Sequence, residues 1–593
     1  MENQIISIRS FVAIINANKT NYDNFQDPIQ SYSDRSNDNQ IHIAFTPRQK
    51  SLKHFENLSP KGCSKLILGD ESEWQDTLGD KCMGSAALIE CDLSKKYLRI
   101  LTSITGIPPI FVYETPEKLI FTSDLYLLCN IPSLGLSFDL ESMVDLGIIG
   151  NPINYKTLFK NIRILQGGHS FTVSKDGEMS SIQTWDLPTI DPLENWEDYV
   201  DLQIEALEDS IQKLDLSNSI FTLTAGLDTR TILAALIKQK RLLPAYTTTG
   251  KLRSLDARTA IKLCECYNIP HITVSLDNDF YKDLPNCVAE ASRLSGGLGG
   301  LELTSQVYTY KTFEGSFTRN LSGLFGTEIG RRGVTRISMR TINSGILNED
   351  FEKRVKQRST VHLYSDVVMN SGSLDFKYLV QNEATWPSVA PYCVGNSFMM
   401  QQMPYTNHRM IDISFLRPKS TVENRQVSSL QLRFNVLRHG FLGESDCYSF
   451  QRKFIKSIGG PVASIPINWG WRPNGGISFQ GVVLGGLAFI DALVSSRSLS
   501  SRLSSRGVIY KTLDKLHILG LHNFKQLSKC LYFMKEFVYD ILLSKSAKEM
   551  GILDNKGTSR VLDEHYLGKR DHTQTLDFVL TILLAQKMFK ASL

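Results

Sequence analysis

Residues 219–235, SIFTLTAGLDTRTILAA, decide the reading of this chain: a β-rich run ends in a small-residue loop, and an apolar helix follows at once. Ile220, Phe221 and Leu223 predict a strand. Thr224, Ala225 and Gly226 keep bulk out of the turn after it, so that backbone N–H groups can approach a phosphate. The helix from Leu227 turns its positive end to the same place. Asp228 alone would repel an anion, but beside a phosphate it fits as a ligand of Mg2+ that bridges phosphate oxygens. The same residues also fit an ordinary strand–turn–helix, and so short a motif does not choose between the two.

The rhythm around this stretch points to a parallel sheet. From Trp196 a helix is expected to Leu214, a strand to Leu223, a helix to Lys240, a strand over Leu243–Thr247, a helix over Leu255–Tyr267 and a strand over His271–Val274. Strand and helix alternating at this spacing give an α/β sheet with its ligand at the carboxyl ends of the strands. Residues 1 to about 190 instead show short β-like runs between turns: Ile5–Ile15, His42–Phe45, Ala86–Cys91, Leu98–Thr102, Ile110–Tyr113, Leu119–Thr122 and His169–Val173. They predict an antiparallel β-sandwich, with the polar stretch Asn18–Gln40 as a loop. After about residue 340 the chain reads as mainly helical, most clearly over His517–Leu543 and Leu576–Met588. Two domains are expected, 1–190 and 191–593.

Composition narrows the function classes. The chain has 593 residues, 42% of them hydrophobic, and a net charge of +4 with both signs interspersed. No basic stripe argues for nucleic acid. The ten cysteines are scattered, and the close pair Cys264 and Cys266 has no second pair to complete a zinc site. They read as thiols of a reducing compartment. MENQIISIRSF lacks the build of a signal peptide. The apolar stretch Gly481–Val494 is short and holds Asp491, and Leu576–Phe589 is broken by Asp577, Gln586 and Lys587, so no membrane span and a cytoplasmic location are expected.

The run Thr222-Leu-Thr-Ala-Gly-Leu-Asp228-Thr-Arg230 resembles the pyrophosphate loop S-G-G-x-D-S of the asparagine synthetase B-like family, with Thr224 and Ala225 in place of Ser and Gly. Upstream, Gly106-Ile-Pro-Pro-Ile, Lys118–Leu125 and Gln166-Gly-Gly-His-Ser-Phe171 through Trp185 resemble segments of that family's amino-terminal domain. Downstream, Tyr246-Thr-Thr-Thr-Gly250 with Asp256, Ile269-Pro-His271, Leu321-Ser-Gly-Leu-Phe-Gly-Thr-Glu328 and Pro404-Tyr-Thr-Asn-His-Arg409 resemble its later motifs in order. The likeness covers about residues 80 to 475.

The resemblance implies an amino-terminal domain like an Ntn glutamine amidotransferase and an ATP pyrophosphatase-type synthetase domain with a helical carboxy-terminal part. It implies ATP held by Leu223, Thr224, Ala225, Gly226, Asp228, Thr229, Arg230, Thr248, Gly250 and Gly323, and Mg2+ held by Asp228 and Glu328. Two acids of the family's second metal loop are Leu324 and Thr327 here. Arg331 and Arg332 are further candidate clamps for phosphate or a carboxylate. The family's late lysine is missing from Ile465-Pro-Ile-Asn-Trp-Gly-Trp-Arg472, which leaves Lys453, or Lys456, as a substitute, unless both sit on a solvated helix face. His408 and Arg409 read as a helix start rather than chemistry.

The family's first domain hydrolyses glutamine with a cysteine at residue one. This chain begins Met1-Glu2-Asn3, has no cysteine before Cys63, and carries Thr102-Ser103-Ile104-Thr105 where the family shows an Arg-Asp pair. A scaffold that makes no ammonia is therefore expected. What remains is an AMP-forming carbon–nitrogen ligase that adenylates a carboxylate, as in the branch with an inactive glutaminase: β-lactam synthetases, or lasso-peptide cyclases that close a macrolactam. Its substrate would be a peptide or amino acid derivative, and a precursor-processing protease a possible partner. A ligase using ammonia or a small amine on a metabolite or sugar acid, and an inactive paralogue that only binds, stay open.

Overall fold

The computed structural model describes residues 5–16, 30–33, 41–47, 63–69, 84–92, 97–116, 118–131, 134–174, 177–186, 191–250, 253–330, 342, 345–358, 380, 385–418, 449–468, 470–479 and 526–592. The first eleven strands lie before residue 190: β1 Ile5–Asn16, β2 Gln30–Ser33, β3 Ile41–Pro47, β4 Cys63–Gly69, β5 Ala86–Asp92, β6 Tyr97–Leu101, β7 Phe111–Thr115, β8 Lys118–Thr122, β9 Ile162–Ile164, β10 His169–Val173 and β11 Met179–Gln183. They form one connected sheet along the path β11-β10-β6-β5-β4-β1-β8-β7-β9, with β3 on β1 and β2 on β3.

In this sheet every pair but one is antiparallel, as expected, and it differs from a plain antiparallel sandwich in two details. It is mixed, because β1 runs parallel to β4 while its other pairs are antiparallel. It is also one sheet rather than two separate layers. β1 is long enough to change partner along its length: Ile5–Ile8 pair with β4 and Val12–Asn16 with β8, while β3 pairs with Ile8–Ile15 across a register shift between Ile8 and Ser10. Val112 and Phe121 on β7 and β8 share a buried cluster with Leu98, Ile100 and Phe171 on β6 and β10. The cluster is continuous through Phe11, Leu66 and Ile89 on the strands between them, so a single core runs along the sheet. Within Asn18–Gln40, expected as a loop, Gln30–Ser33 is strand β2, and the rest of that stretch lies outside the described residues.

After helix α1 (Leu140–Ile149) and helix α2 (Trp196–Lys213) comes a second sheet, all parallel, of β12 Ser219–Thr222, β13 Ala245–Gly250, β14 His271–Leu276, β15 Arg319–Leu321 and β16 Met400–Gln402. Helices α3 (Leu227–Lys238), α4 (Leu255–Tyr267), α5 (Asn278–Leu294) and α6 (Thr304–Phe313) make the connections among the first four strands. The order is β14-β13-β12-β15-β16. The chain builds outward from β12 in one direction, then returns to β12's other edge and builds the other way, which leaves a crevice at the carboxyl ends of β12 and β15.

β15 and β16 are only three residues each, RNL and MQQ, and have little intrinsic strand preference. A buried polar chain ties them to the centre. Thr222 Oγ1 donates to Asn320 Oδ1 at 3.0 Å and to the Tyr246 hydroxyl at 2.8 Å, and Asn320 Nδ2 donates to Gln401 Oε1 at 2.8 Å. Each bond links neighbouring strands, so it fixes their register.

One buried cluster runs from Phe111 and Ile120 on the first sheet, through α1, into the helices around the second. The helix Thr573–Phe589 packs into it, with Phe589 5.0 Å from Phe159 between ring centroids. Its Asp577 is buried because it accepts the Leu301 N–H at 3.1 Å. No helix among the described residues is long and apolar enough to cross a membrane. Gly481–Val494 lies outside them.

Candidate active site

The loop after β12 is fixed at both ends. Leu223 is fully buried, its N–H bonded to the Tyr246 carbonyl at 3.0 Å and its own carbonyl capped by Thr247 Oγ1 at 2.6 Å. Side chains hold the amides that follow. Thr224 N–H donates to Thr229 Oγ1 at 3.1 Å, Gly226 N–H to Thr224 Oγ1 at 3.2 Å, and Ala225 N–H to Asp256 Oδ1 at 2.9 Å. Burial pushes the Asp256 carboxyl above the usual carboxylate range, and the Ala225 N–H partly offsets this. Helix α3 begins at Gly226 with no side-chain cap, and Asp228 is the acidic residue of its first turn.

Asp228, on the first turn of α3, meets three elements. Its Oδ1 accepts from Gln451 Nε2 at 2.6 Å, its Oδ2 from Thr327 Oγ1 at 3.2 Å, and its main-chain carbonyl from the Tyr405 hydroxyl at 2.9 Å. The loop after β15 comes this close because it carries two glycines. A Cβ on Gly326 would lie 2.7 Å from both Cβ and Cγ of Asp228, and one on Gly323 would lie 2.9 Å from Thr229 Cγ2. Between them Phe325 adopts φ 65°, the left-handed turn that sends the chain into the wide helical turn Gly326–Gly330. Glu328 lies half-exposed on that turn, one residue after Thr327. The loops after β12 and β15 thus meet at Asp228, at the crevice that the strand order creates.

This donor set fits Mg2+ carried by a nucleotide. Among the described residues no group of three or more His, Cys, Asp or Glu could hold a metal. Mg2+ keeps waters and phosphate oxygens and needs only one or two carboxylates from the protein, which Asp228 and Glu328 would supply. An orphaned atom lies beside them: Gln451 Oε1 is buried with no hydrogen-bond partner among the described residues.

No protein-family model matches the chain, and no curated protein does. Among solved structures it is similar to NMN synthetase from Francisella tularensis, with a TM-score of 0.19 and 12% identity over 44% of this chain and 94% of that one. It is also similar to glutamine-dependent NAD+ synthetase from Acinetobacter baumannii, solved with ADP, with a TM-score of 0.19 and 9% identity over 60% of this chain and 85% of that one. Superpositions so loose carry no argument, and the fold rests on the strand order itself.

Two expected site residues do other work. Arg230 is fully buried and turned away from the loop: its guanidinium donates to the Ile465 carbonyl and, at 3.0 Å, to the Pro466 carbonyl. It clamps the segment 465–468, whose Asn468 N–H also reaches the Ala225 carbonyl at 3.3 Å. Burial pulls Arg230 down to about 9, still charged at neutral pH. Lys453 points outward and pairs with Asp201 at 2.7 Å. Both corrections have a cause in helix geometry. In the helix Ser449–Ile458 the buried residues are Phe450, Gln451, Phe454 and Ile455, so Lys453 and Lys456 fall on the opposite, solvated face.

The other candidates divide. Thr224, Ala225, Gly226, Asp228, Thr229 and Gly323 come together around the start of α3. Thr248 Oγ1 bonds instead to Thr309 Oγ1 of α6 at 2.8 Å, and Gly250 ends β13. Arg409 pairs with Glu205 at 2.8 Å and its N–H caps onto Asn407, a helix start as expected. Arg331 and Arg332 lie outside the described residues. Gln451, Tyr405 and the loop-holding role of Asp256 were missed. The apolar phase of SFQRKFIK carried the signal for Gln451, because it points residue 451 inward with the phenylalanines.

In the first sheet, the segment at Thr102–Thr105 is filled by its own hydrogen bonds. Thr102 Oγ1 donates to the Gln166 carbonyl at 2.8 Å, Ser103 Oγ to the Ile107 carbonyl at 2.8 Å, and the Ile107 N–H reaches Thr105 Oγ1 at 3.2 Å. These three hydroxyl residues are buried.

Proposed function

We propose that the chain is an ATP-dependent ligase that adenylates a carboxylate and joins it to an amine. One observation supports this above the others: two glycine-bearing loops meet at the strand-order switch point, with an uncapped helix start and a carboxylate between them. The helix dipole and the buried Arg230 charge, which has no acidic partner among the described residues, favour polyphosphate there. Asp228 and Glu328 would hold Mg2+, which when bound neutralises charge on the departing pyrophosphate. Gly226 and Gly323 keep side chains out of the path of the phosphates. The amides of Thr224, Ala225 and Gly226 exchange their side-chain partners for phosphate oxygens as the nucleotide enters. The Arg230 clamp keeps residues 465–468 against the loop and limits the access of water to it.

The amine belongs to the acyl donor itself in this reading, so that the product is a ring, as in a lasso-peptide macrolactam or a β-lactam. The hydroxyl-filled Thr102–Thr105 segment supports a first domain kept as scaffold, with no ammonia supply. Without that supply an adenylate hydrolyses unless a tethered amine competes, and tethering gives effective concentrations of about 10⁵ M or more in well-oriented cases. The substrate would be a peptide or amino acid derivative delivered after cleavage by a precursor-processing protease. The test is exchange of labelled pyrophosphate into ATP, which should require the carboxylate substrate. Release of ADP and phosphate, or no binding of ATP at all, overturns the reading. The product should weigh one water less than its substrate, whereas a gain matching ammonia would favour the small-amine ligase.

A further inference from the structure

We propose that Gln451 is a further protein ligand of a divalent cation at Asp228, and that its side-chain carbonyl takes a coordination position left open where the second loop carries Leu324 and Thr327 in place of acids. The inference deepens the nucleotide-site reading and rests on it for the phosphate that shares the cation. Gln451 is fully buried on the face of its helix that carries Phe450, Phe454 and Ile455. An aliphatic side chain would fit that face at no polar cost. The amide makes one contact there, from Nε2 to Asp228 Oδ1 at 2.6 Å, and leaves Oε1 buried and unpartnered among the described residues. Buried carbonyls in that state are uncommon and unfavourable.

The last torsion of glutamine is broad and roughly two-fold, so a half-turn exchanges the two amide ends with little other movement. Oε1 then faces Asp228 Oδ1 across the same short gap. Two oxygens that close repel each other unless a cation lies between them. Thr327 Oγ1, 3.2 Å from Oδ2, adds a third oxygen to the set. Carboxylate, amide carbonyl and hydroxyl are the donors that hard cations such as Mg2+ and Mn2+ take. The cation-free state uses the same amide turned the other way, with its N–H2 standing in for the metal against Asp228. Because the amide is neutral, the site carries one negative charge fewer than it would with a carboxylate at residue 451, and the metal binds mainly together with nucleotide phosphates.

The test uses the full chain and Mn2+, followed by electron paramagnetic resonance in the absence and presence of ATP. Gln451→Glu supplies a carboxylate at the same position and should bind Mn2+ alone about tenfold or more tightly than the parent protein. Its melting temperature in a chelator should fall below the parent's, because two carboxylates then face each other, and Mn2+ should raise it by more than it raises the parent's. Gln451→Leu should lose about tenfold in Mn2+ affinity with ATP present. Equal Mn2+ affinities in the parent and both variants overturn the proposal. If Gln451→Leu does not fold, the comparison of Gln451→Glu with the parent decides alone. Mn2+ binding that depends on residue 451 without any ATP binding would leave this proposal standing and remove the nucleotide reading. ATP binding with Mn2+ affinity indifferent to residue 451 would do the reverse.

Discussion

Replacing Gly326 with alanine puts one methyl group against Asp228 and leaves every charge in place. The new Cβ would sit 2.7 Å from Asp228 Cβ and Cγ and 2.9 Å from Oδ1. That is about 0.8 Å inside the roughly 3.5 Å at which carbon atoms make good contact. Asp228 cannot yield. Its Cβ is set by the first turn of α3, its carbonyl is held by Tyr405 and its carboxylate by Gln451. The turn after β15 must move instead, and overpacking of this kind costs about 1–3 kcal/mol. A displacement approaching 1 Å between the groups that position a reacting phosphate costs on the order of 10²-fold in rate. Gly135→Ala is the control, since a Cβ there meets open space, and it should change stability by less than about 0.5 kcal/mol. Thermal unfolding reads the first effect, and pyrophosphate exchange into ATP reads the second. If the Gly326 variant is as stable and as active as the Gly135 control, the two loops do not meet as described.

Asp228→Asn should lower pyrophosphate exchange about 10²-fold or more, as expected when one charged group is lost from a water-excluded site, and an unchanged rate would make the motif a turn and nothing else. Asp256→Asn should flatten part of the stability–pH curve: the carboxyl is raised in the fold, so the folded state holds its proton more readily and this group's stability falls as pH rises from the ordinary value of 3.8 through the raised one. The asparagine oxygen still accepts the Ala225 N–H, so the variant should be at least as stable as the parent at neutral pH, and melting curves across that range check it. Lys453→Ala should cost less than about 1 kcal/mol and leave exchange intact, because the Lys453–Asp201 pair is solvent-exposed. A loss of exchange would return Lys453 to the site.

The sequence carries the fold wherever pattern and turn chemistry agree. Leu255–Tyr267 and His169–Val173 fall at the expected residues, because an apolar helical phase and a β-rich run each end at a turn residue. The weak strands were hidden. Met400–Gln402 looks like part of a helical region, and its pairing with β15, reinforced by the bond from Asn320 to Gln401, makes it the sheet's edge. Cys63–Gly69 was passed over although SKLILG is apolar, because its pairing partners β1 and β5 are set by tertiary contacts. The phosphate-type loop was legible because glycine and the helix start are local signals. Its partners Gln451 and Tyr405 were not, because they lie 223 and 177 residues away. The direction in which Arg230 and Lys453 point is likewise a matter of packing.

The residues after the helix Thr573–Phe589 pair with the stretch that leads into α1. Ser592 N–H donates to the Leu136 carbonyl at 2.9 Å, and the Ser592 carbonyl accepts from the Phe138 N–H at 2.8 Å. The partners stand 456 positions apart. At the usual pace of synthesis, about 5–20 residues each second, a ribosome needs on the order of 20 to 90 s between making the two. Through that interval Phe159 has no Phe589 to pack against, and the apolar seat for the helix Thr573–Phe589 is bare. That seat stays uncovered until the helix Thr573–Phe589 has been made.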